Sequence, residues 1–363
     1  MIAAFMERAI ELASRGRGLV EPNPMVGAVV VRQGVPVGEG WHASYGGPHA
    51  EVVALRAAGE AARGADLYVS LEPCSTYGKT PPCTDSVTAS GIERVFVAVQ
   101  DPSERNGGFG IARLRERGVV VEVGALAERA EPLLEWFRRH LAANRPHVVA
   151  KWAMTLDGKI ATPSGDSRWI SSEASRRRVH EERSRADAVM VGIGTGLTDD
   201  PELSCRLAPG RQPVRIVADP DFALGADSKL VRGAREQPTW VIGRPDREAA
   251  ARPLAASGVR IEVISGSPEN FHLGALERLR ALGIGRLLVE GGQGLLTSLL
   301  EVRAIDQVLV FVAPKLVGGA TAKSPLAGMG REPMSTAIRL SHVVSERIDD
   351  DVLVRGFLEE SPP

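Results

Sequence analysis

Three short stretches constrain this chain more than any others: His49-Ala50-Glu51, Pro73-Cys74 and Thr80-Pro81-Pro82-Cys83. One imidazole and two thiolates make three of the four ligands of a tetrahedral Zn²⁺, with the fourth position left for water. For His49, Cys74 and Cys83 to share one ion, three separate points of the chain must converge. The local sequence fits such a convergence. Pro48 followed by the alanine-, leucine- and glutamate-rich run from Ala50 to Ala62 predicts a helix with His49 and Glu51 on its first turn. Leu67 to Leu71 predicts a strand whose end delivers Cys74 beside that helix, and Cys83 falls at the next helix start, Thr84 to Ser90. Glu51 lies two residues beyond the histidine, where a carboxylate can reach the water without occupying the metal.

A lone His-x-Glu more often marks an exposed helix start, so the Pro-Cys and the second cysteine carry the weight. The competing reading is a structural zinc site closed by a fourth side chain. Cys205 is far along the chain, which leaves His42 as the candidate, and Glu51 would then have no task. An open site with a neighbouring carboxylate is the arrangement of zinc nucleobase deaminases. Here eight residues, Ser75 to Pro82, separate the cysteines, against two in the common pattern. Leu71-Glu72-Pro73-Cys74-Ser75 and Gly78-Lys79-Thr80-Pro81-Pro82-Cys83, with Pro22-Asn23-Pro24 and Val26-Gly27 upstream, resemble the deaminase half of the bifunctional riboflavin-biosynthesis deaminase-reductase family, the RibD family.

The 363 residues exceed one ordinary core and fit two domains. The boundary is placed at Asn144-Arg145-Pro146, giving a zinc-dependent domain over 1–145 and a second domain over 146–363. Helical and strand-like segments alternate in both, as in α/β folds. Ala125 to Ala142 reads as one helix with Leu133, Leu134, Trp136, Phe137 and Leu141 on its apolar side, and Asp219 to Gln237 reads as surface loop. With 44 basic against 45 acidic residues, the composition argues against a nucleic-acid partner. No apolar run approaches the roughly 18 residues of a membrane span. Met1 to Gly16 reads as an amphipathic helix, and three cysteines leave no disulfide framework, so a cytoplasmic protein is expected.

In the second half, Val289-Glu290-Gly291-Gly292-Gln293-Gly294 lies between a strand and a helix. Unpaired amides and the helix dipole there suit a phosphate, although the spacing departs from the dinucleotide fingerprint of a standard Rossmann domain. Lys151-Trp152-Ala153-Met154-Thr155-Leu156-Asp157-Gly158-Lys159 is similar to the opening of the same family's reductase domain. Ser167-Arg168-Trp169-Ile170, Gly194-Thr195-Gly196, Thr198-Asp199-Asp200-Pro201 and Glu290-Gly291-Gly292 follow in the family's order.

The resemblance implies a cytidine-deaminase-like α/β/α zinc domain followed by a dihydrofolate-reductase-like α/β domain. His49, Cys74 and Cys83 would hold Zn²⁺, with Glu51 as the acid/base. Ala153, Trp169, Thr195, Asp199, Gly292, Gln293, Gly294, Leu295, Leu296, Thr297 and Ser298 would contact NADPH. Ser167, Arg183, Leu203, Arg206 and Glu290 would contact the ribose-phosphate substrate. The implied reactions are deamination of 2,5-diamino-6-ribosylamino-4(3H)-pyrimidinone 5′-phosphate, then NADPH reduction of 5-amino-6-(5-phosphoribosylamino)uracil to the ribitylamino product. A homo-oligomer, dimer or tetramer, is implied as well.

Thr76 stands where the family has histidine and Ser103 where it has asparagine. The run Glu104 to Gly110 and Thr155 also depart from its pattern. The first-domain departures bear on recognition of the pyrimidine and its phosphate, where Asn23, His42 and Lys79 are further candidates. The competing functions are a reductase with a zinc-stabilised, catalytically altered first domain, and a deaminase of another nucleobase.

Overall fold

The computed structural model describes residues 2–78 and 80–359. Lys79 lies outside the described residues. The chain divides into two compact units, Met1–Ala142 and Ala143–Pro363.

The first unit runs α1 (Ile2–Ser14), β1 (Gly27–Arg32), β2 (Val35–Trp41), α2 (Ala50–Ala58), β3 (Asp66–Leu71), α3 (Cys83–Ala89), β4 (Arg94–Val99), α4 (Phe109–Glu116), β5 (Val120–Val123), α5 (Ala127–Ala130) and α6 (Glu135–Ala142). Its sheet has the order β2-β1-β3-β4-β5, with β1 antiparallel to both neighbours and β3, β4 and β5 parallel. Gln33 and Gly34, both at positive φ, form the tight turn that returns β2 alongside β1. Apolar residues of the strands face two ways, one set packing with α2 and α3 and the other with α1 and the 130–134 segment. A Cβ on Gly40 would lie 2.5 Å from the Ala50 carbonyl, so only glycine lets the start of α2 sit this close to β2.

Two helices are shorter than the sequence suggested. The run expected to be helical to Ala62 leaves the α conformation at Gly59, which has φ 53°, and finishes as one 3₁₀ turn. The expected helix from Ala125 to Ala142 is broken into α5, a 3₁₀ turn and α6, because Pro132 supplies no amide to the ladder. Leu133, Leu134 and Trp136 are buried, whereas Leu141 is exposed.

The second unit runs β6 (His147–Thr155), α7 (Glu173–Arg185), β7 (Ala188–Gly192), α8 (Ile193–Asp199), β8 (Val214–Ala218), α9 (Lys229–Arg232), β9 (Thr239–Gly243), α10 (Arg252–Ala256), β10 (Arg260–Val263), α11 (Phe271–Ala281), β11 (Arg286–Val289), α12 (Gln293–Glu301), β12 (Gln307–Ala313), β13 (Leu340–Ile348) and β14 (Asp351–Leu358). Its nine-stranded sheet has the order β10-β9-β8-β7-β11-β6-β12-β14-β13, parallel from β10 to β12 and closed by the antiparallel hairpin β13–β14. Apolar clusters cover both faces of the sheet. The Asp219 to Gln237 stretch is not simply surface loop. Phe222, Leu224, Leu230, Val231 and Ala234 are core residues, and the buried Asp219 carboxylate accepts the Leu224 N–H. Among the described residues no helix is long and apolar enough to cross a membrane.

A histidine buried without charge is expected to limit the acid tolerance of this unit. Arg145 makes a two-pronged pair with Asp306, at 2.6 and 2.8 Å, and Asp306 also accepts the Val148 N–H. Beside them His147 is buried, and burial holds its pKa down at about 4, with Asp306 opposing and Arg286 and Arg145 adding to the depression. The unfolded chain takes up this proton below the ordinary 6.5 and the folded chain does not until about 4. The neutral ring therefore costs nothing above pH 6.5, and about 3 kcal/mol of stability is lost as pH falls through that window. Urea midpoints of the whole chain should fall between pH 7.5 and 5, and less steeply for His147→Phe. Equal slopes would remove His147 from this account.

Candidate active sites

In the first unit the C-terminal end of β3 and the starts of α2 and α3 bring together what 34 residues of sequence hold apart. His49 is the N-cap of α2, Glu51 lies in its first turn, and Cys83 is the first residue of α3. His49 Nδ1 lies 3.2 Å from Cys83 Sγ and 3.6 Å from Cys74 Sγ. A tetrahedral ion about 2.0–2.1 Å from nitrogen and about 2.3 Å from sulfur would set such atoms about 3.6 Å apart, so the donor set fits zinc. Among the described residues these three form the one His/Cys/Asp/Glu group able to hold a metal ion. The site is therefore not closed by His42, whose two ring nitrogens are both engaged. Its Nε2 lies 3.1 Å from Asn23 Nδ2 and its Nδ1 2.9 Å from the Pro48 carbonyl. With Asn23 donating, the ring proton is on Nδ1 and ties His42 to the residue before His49.

The electrostatics follow from burial and close thiols. Burial raises the Glu51 carboxyl to about 7, opposed by His49 and assisted by Cys74. A hydrogen bond from Cys83 draws the Cys74 thiol down to about 4, with His49 adding to the effect, while sharing that proton pushes Cys83 up. One sulfur of the pair is thus a ready thiolate. The His49 imidazole is raised: burial lowers it, but the Cys74 hydrogen bond and Glu51 outweigh that. Thr80 Oγ1, 3.4 Å from His49 Nε2, faces the ring nitrogen turned away from the sulfurs.

Glu72, next to the Pro73-Cys74 turn, was not singled out in the sequence. Its buried carboxylate accepts four backbone N–H groups, from Asp101, Gly108, Gly110 and Ile111, at 2.8–3.1 Å. The 101–111 loop is thereby fastened to the turn that carries Cys74, so closely that a Cβ on Gly110 would lie 1.9 Å from the Pro73 carbonyl. The departures from the family pattern meet one another on the same rim. Thr76 Oγ1 donates to Asn106 Oδ1 at 3.0 Å, Arg105 donates to the Tyr77 carbonyl, and Ser103 Oγ accepts the Asn106 N–H.

In the second unit a cleft of about 290 Å³ opens at the C-terminal ends of β7 and β11, beside the start of α12. Of the residues expected at the cofactor, Thr195, Asp199, Gly292, Gln293, Gly294 and Leu295 line it, and so does Ser167, expected at the substrate. Ile160, Ala161, Gly165, Gly192, Gly194, Thr198 and Lys323 complete the lining. A Cβ on Gly194 or Gly294 would meet nothing within 4 Å, so both glycines leave bare backbone facing open space. Bare backbone beside the first turn of α12, where amides lack helical partners, fits a dinucleotide phosphate.

The remaining expected residues lie outside that lining. The Leu296 side chain is fully buried in the core. Thr297 donates to the Gln293 carbonyl and accepts the Ala327 N–H, and Ala153 and Ser298 are likewise absent from the lining. Trp169 is exposed, with the Arg176 guanidinium over its ring at 4.5 Å.

Arg183 does not lie on the surface. It binds Glu290 with two prongs, 2.5 and 3.0 Å, and the Ser204 carbonyl at 2.9 Å. Lys151 Nζ lies 3.5 Å from the same carboxylate. Burial alone would raise the Glu290 carboxyl, but Arg183 and Lys151 together hold it at about 2. Arg206 does sit on the surface, paired with Glu202 at 2.5 Å. Leu203 is buried, at φ 52°.

The comparisons with known proteins agree with both halves. The profile of the cytidine and deoxycytidylate deaminase zinc-binding region matches residues 1–99, and that of the RibD C-terminal domain matches residues 146–354. The riboflavin biosynthesis protein RibD of Aquifex aeolicus is 42% identical over 352 residues, 96% of each chain. That of Escherichia coli is 38% identical, over 86% of this chain and 88% of its own. Among solved structures, Acinetobacter baumannii RibD superposes with a TM-score of 0.74 at 34% identity, covering 99% of both chains. A diaminohydroxyphosphoribosylaminopyrimidine deaminase/5-amino-6-(5-phosphoribosylamino)uracil reductase from Thermotoga maritima does so at 0.70 and 36%, covering 98% of both. The fold is thus a cytidine-deaminase-like unit followed by a reductase unit of the dihydrofolate-reductase-like kind. Because these matches run nearly the length of the chain, with a deaminase zinc-binding region ahead of a RibD C-terminal domain, the chain belongs to the RibD family of bifunctional riboflavin-biosynthesis deaminase-reductases.

Proposed function

We propose that the Met1–Ala142 unit deaminates 2,5-diamino-6-ribosylamino-4(3H)-pyrimidinone 5′-phosphate and that the Ala143–Pro363 unit reduces the resulting 5-amino-6-(5-phosphoribosylamino)uracil at its ribosyl C1′. The enzyme is a deaminase and a reductase that uses zinc and NADPH. The Thermotoga relative is named for deaminase and reductase activities on these two substrates, which supports the same assignment here. The observation that carries the reading is the three-donor group with a buried carboxylate beside it that does not join the group.

His49, Cys74 and Cys83 would hold the zinc, which when bound supplies the Lewis acidity that makes water nucleophilic at neutral pH. Glu51 then takes a proton from the attacking water and returns it to the departing ammonia, so it must stay clear of the metal and within reach of both. Asn23, His42 and Pro48 hold the start of α2 in place through the hydrogen bonds described above. The Glu72-anchored loop and the Thr76–Asn106 contact form the rim against which the pyrimidine would rest.

In the second unit NADPH would lie in the cleft and supply the hydride. The first turn of α12 offers its amides to phosphate, and the Asp199 carboxylate is an acceptor for sugar hydroxyls. Arg183 is paired with Glu290 instead of being available for phosphate, and the carboxylate it holds would contact the ribose. Arg206 is better suited to the substrate phosphate, since an exposed pair with Glu202 is worth at most about 1 kcal/mol and is easily exchanged.

The test is direct. Purified enzyme should release ammonia from the diaminopyrimidinone and lose NADPH absorbance with the deaminated product. If NADPH oxidation proceeds and no ammonia appears while zinc is held, the altered-deaminase reading replaces this one.

The homo-oligomer belongs to the same proposal. It is supported by exposed apolar side chains on the outer hairpin of the large sheet, Val343, Val344 and Val352, and by Met329 and Met334 in the segment before it. Sedimentation should give a species at two or four times 38.7 kDa, and a monomer at micromolar concentration would refute it. A cytoplasmic setting is proposed from the three free cysteines, which suit a reducing compartment. Recovery of the native enzyme in a membrane or secreted fraction would refute that.

A further inference from the structure

We infer that Lys323, on the long segment between β12 and β13, is a binding determinant for the cofactor, its ammonium holding the dinucleotide pyrophosphate against the start of α12. The inference rests on the reading of the cleft as the NADPH site. Lys323 is the one basic side chain among the lining residues, and Asp199 is the one acidic side chain. Without Lys323 the side chains around a polyanion would carry net negative charge, leaving the helix start to offset both the carboxylate and the phosphates. No acidic partner among the described residues engages the Lys323 ammonium.

The backbone at this position is held on both sides of the cleft. Three successive carbonyls are tied down: Ala322 by Lys159 Nζ at 3.3 Å, Lys323 by the Ile160 N–H at 2.8 Å and Ser324 by Gln293 Nε2 at 3.0 Å. Gln293 is the first residue of α12, so the segment carrying the lysine is fastened to the helix whose amides face the ligand. Further along, the Ala327 N–H donates to Thr297 Oγ1, and upstream Asp157 accepts the Val317 and Gly318 N–H groups. The Lys323 side chain itself is exposed and loses its own rotamer freedom on binding, but its backbone is already ordered, so the segment adds no further ordering cost.

The experiment titrates the whole zinc-loaded chain with NADPH and, separately, with NADH, reading binding by calorimetry. Lys323→Ala and Lys323→Met are expected to raise Kd for both dinucleotides by about 5- to 20-fold, with Lys323→Arg staying within about 3-fold of the parent. Both neutral variants should also show a weaker dependence of Kd on salt. Unchanged affinity in Lys323→Ala overturns the inference. So does parent-like binding by Lys323→Met, which would make the role one of packing. A loss confined to NADPH overturns it too, because it would place the ammonium at the 2′-phosphate.

Gly294→Glu separates this from the underlying reading. Its Cβ meets no atom within 4 Å, and an acid in the first turn suits the helix while repelling phosphate. If Gly294→Glu binds both dinucleotides like the parent, the cleft is not the cofactor site and the inference falls with it. If Gly294→Glu loses binding and Lys323→Ala does not, only the inference about Lys323 fails.

Discussion

Glu51→Gln is expected to keep one zinc per chain and to lower the deamination rate constant by about 10²–10⁴-fold, while NADPH oxidation with the deaminated substrate proceeds at the parent rate. Glutamine keeps the size and one acceptor oxygen of the buried carboxylate but cannot carry a proton from water to the leaving ammonia. The three side chains proposed to hold zinc lie on other residues, and the cleft proposed for NADPH is built wholly from the second unit. Ammonia release, zinc by mass spectrometry and absorbance at the NADPH band check the three parts separately. Loss of zinc from the variant would mean that the carboxylate helps to hold the ion, and a deamination rate within threefold of the parent would remove it from the chemistry.

Glu290→Ala is expected to be the most damaging change in the second unit. It leaves the part-buried Arg183 and Lys151 side by side with no counter-charge, and the cost of about 3–5 kcal/mol for breaking a fully buried pair from one side is the upper end here. That approaches the whole stability of many domains. NADPH binding and reduction should vanish at temperatures where the parent is intact, with denaturant midpoints falling accordingly. Arg183→Met/Glu290→Leu, which removes both partners of the two-pronged pair, should recover part of the stability and none of the reduction. If Glu290→Ala is as stable as the parent and only KM for the pyrimidine rises, the carboxylate touches substrate without organising the fold.

These predictions rest on features that were unequally legible in the sequence. The convergence of His49, Cys74 and Cys83, with Glu51 on the same helix start, was readable because local signals coincide: proline before a helix start, a β-rich run ending in Pro-Cys, and a second Pro-Cys at another helix start. Most strands of both sheets were readable for a similar reason, as short β-branched runs bounded by glycine, proline or polar residues. The breaks were harder. Gly59 and Pro132 lie inside helix-forming composition, and whether the chain bends there depends on packing beyond the window.

The Phe222 to Ala234 stretch was misread because its apolar residues are scattered among glycines and charges with no helical or strand period. Glu72 gave no sign of its four amides, since those come from residues 29 to 39 positions away. Arg183 as a residue offered only a charge, and the partner that buries it is 107 residues on. Lys323 is 30 residues from the glycine turn it faces and carries no motif of its own.

X-ray absorption at the zinc edge of the purified chain tests the central claim most directly. The account predicts two sulfur neighbours, one imidazole nitrogen and one exchangeable light-atom neighbour, with one sulfur lost in either Cys74→Ser or Cys83→Ser. A second imidazole or a carboxylate in the fourth position, or a spectrum unchanged by either substitution, would contradict it.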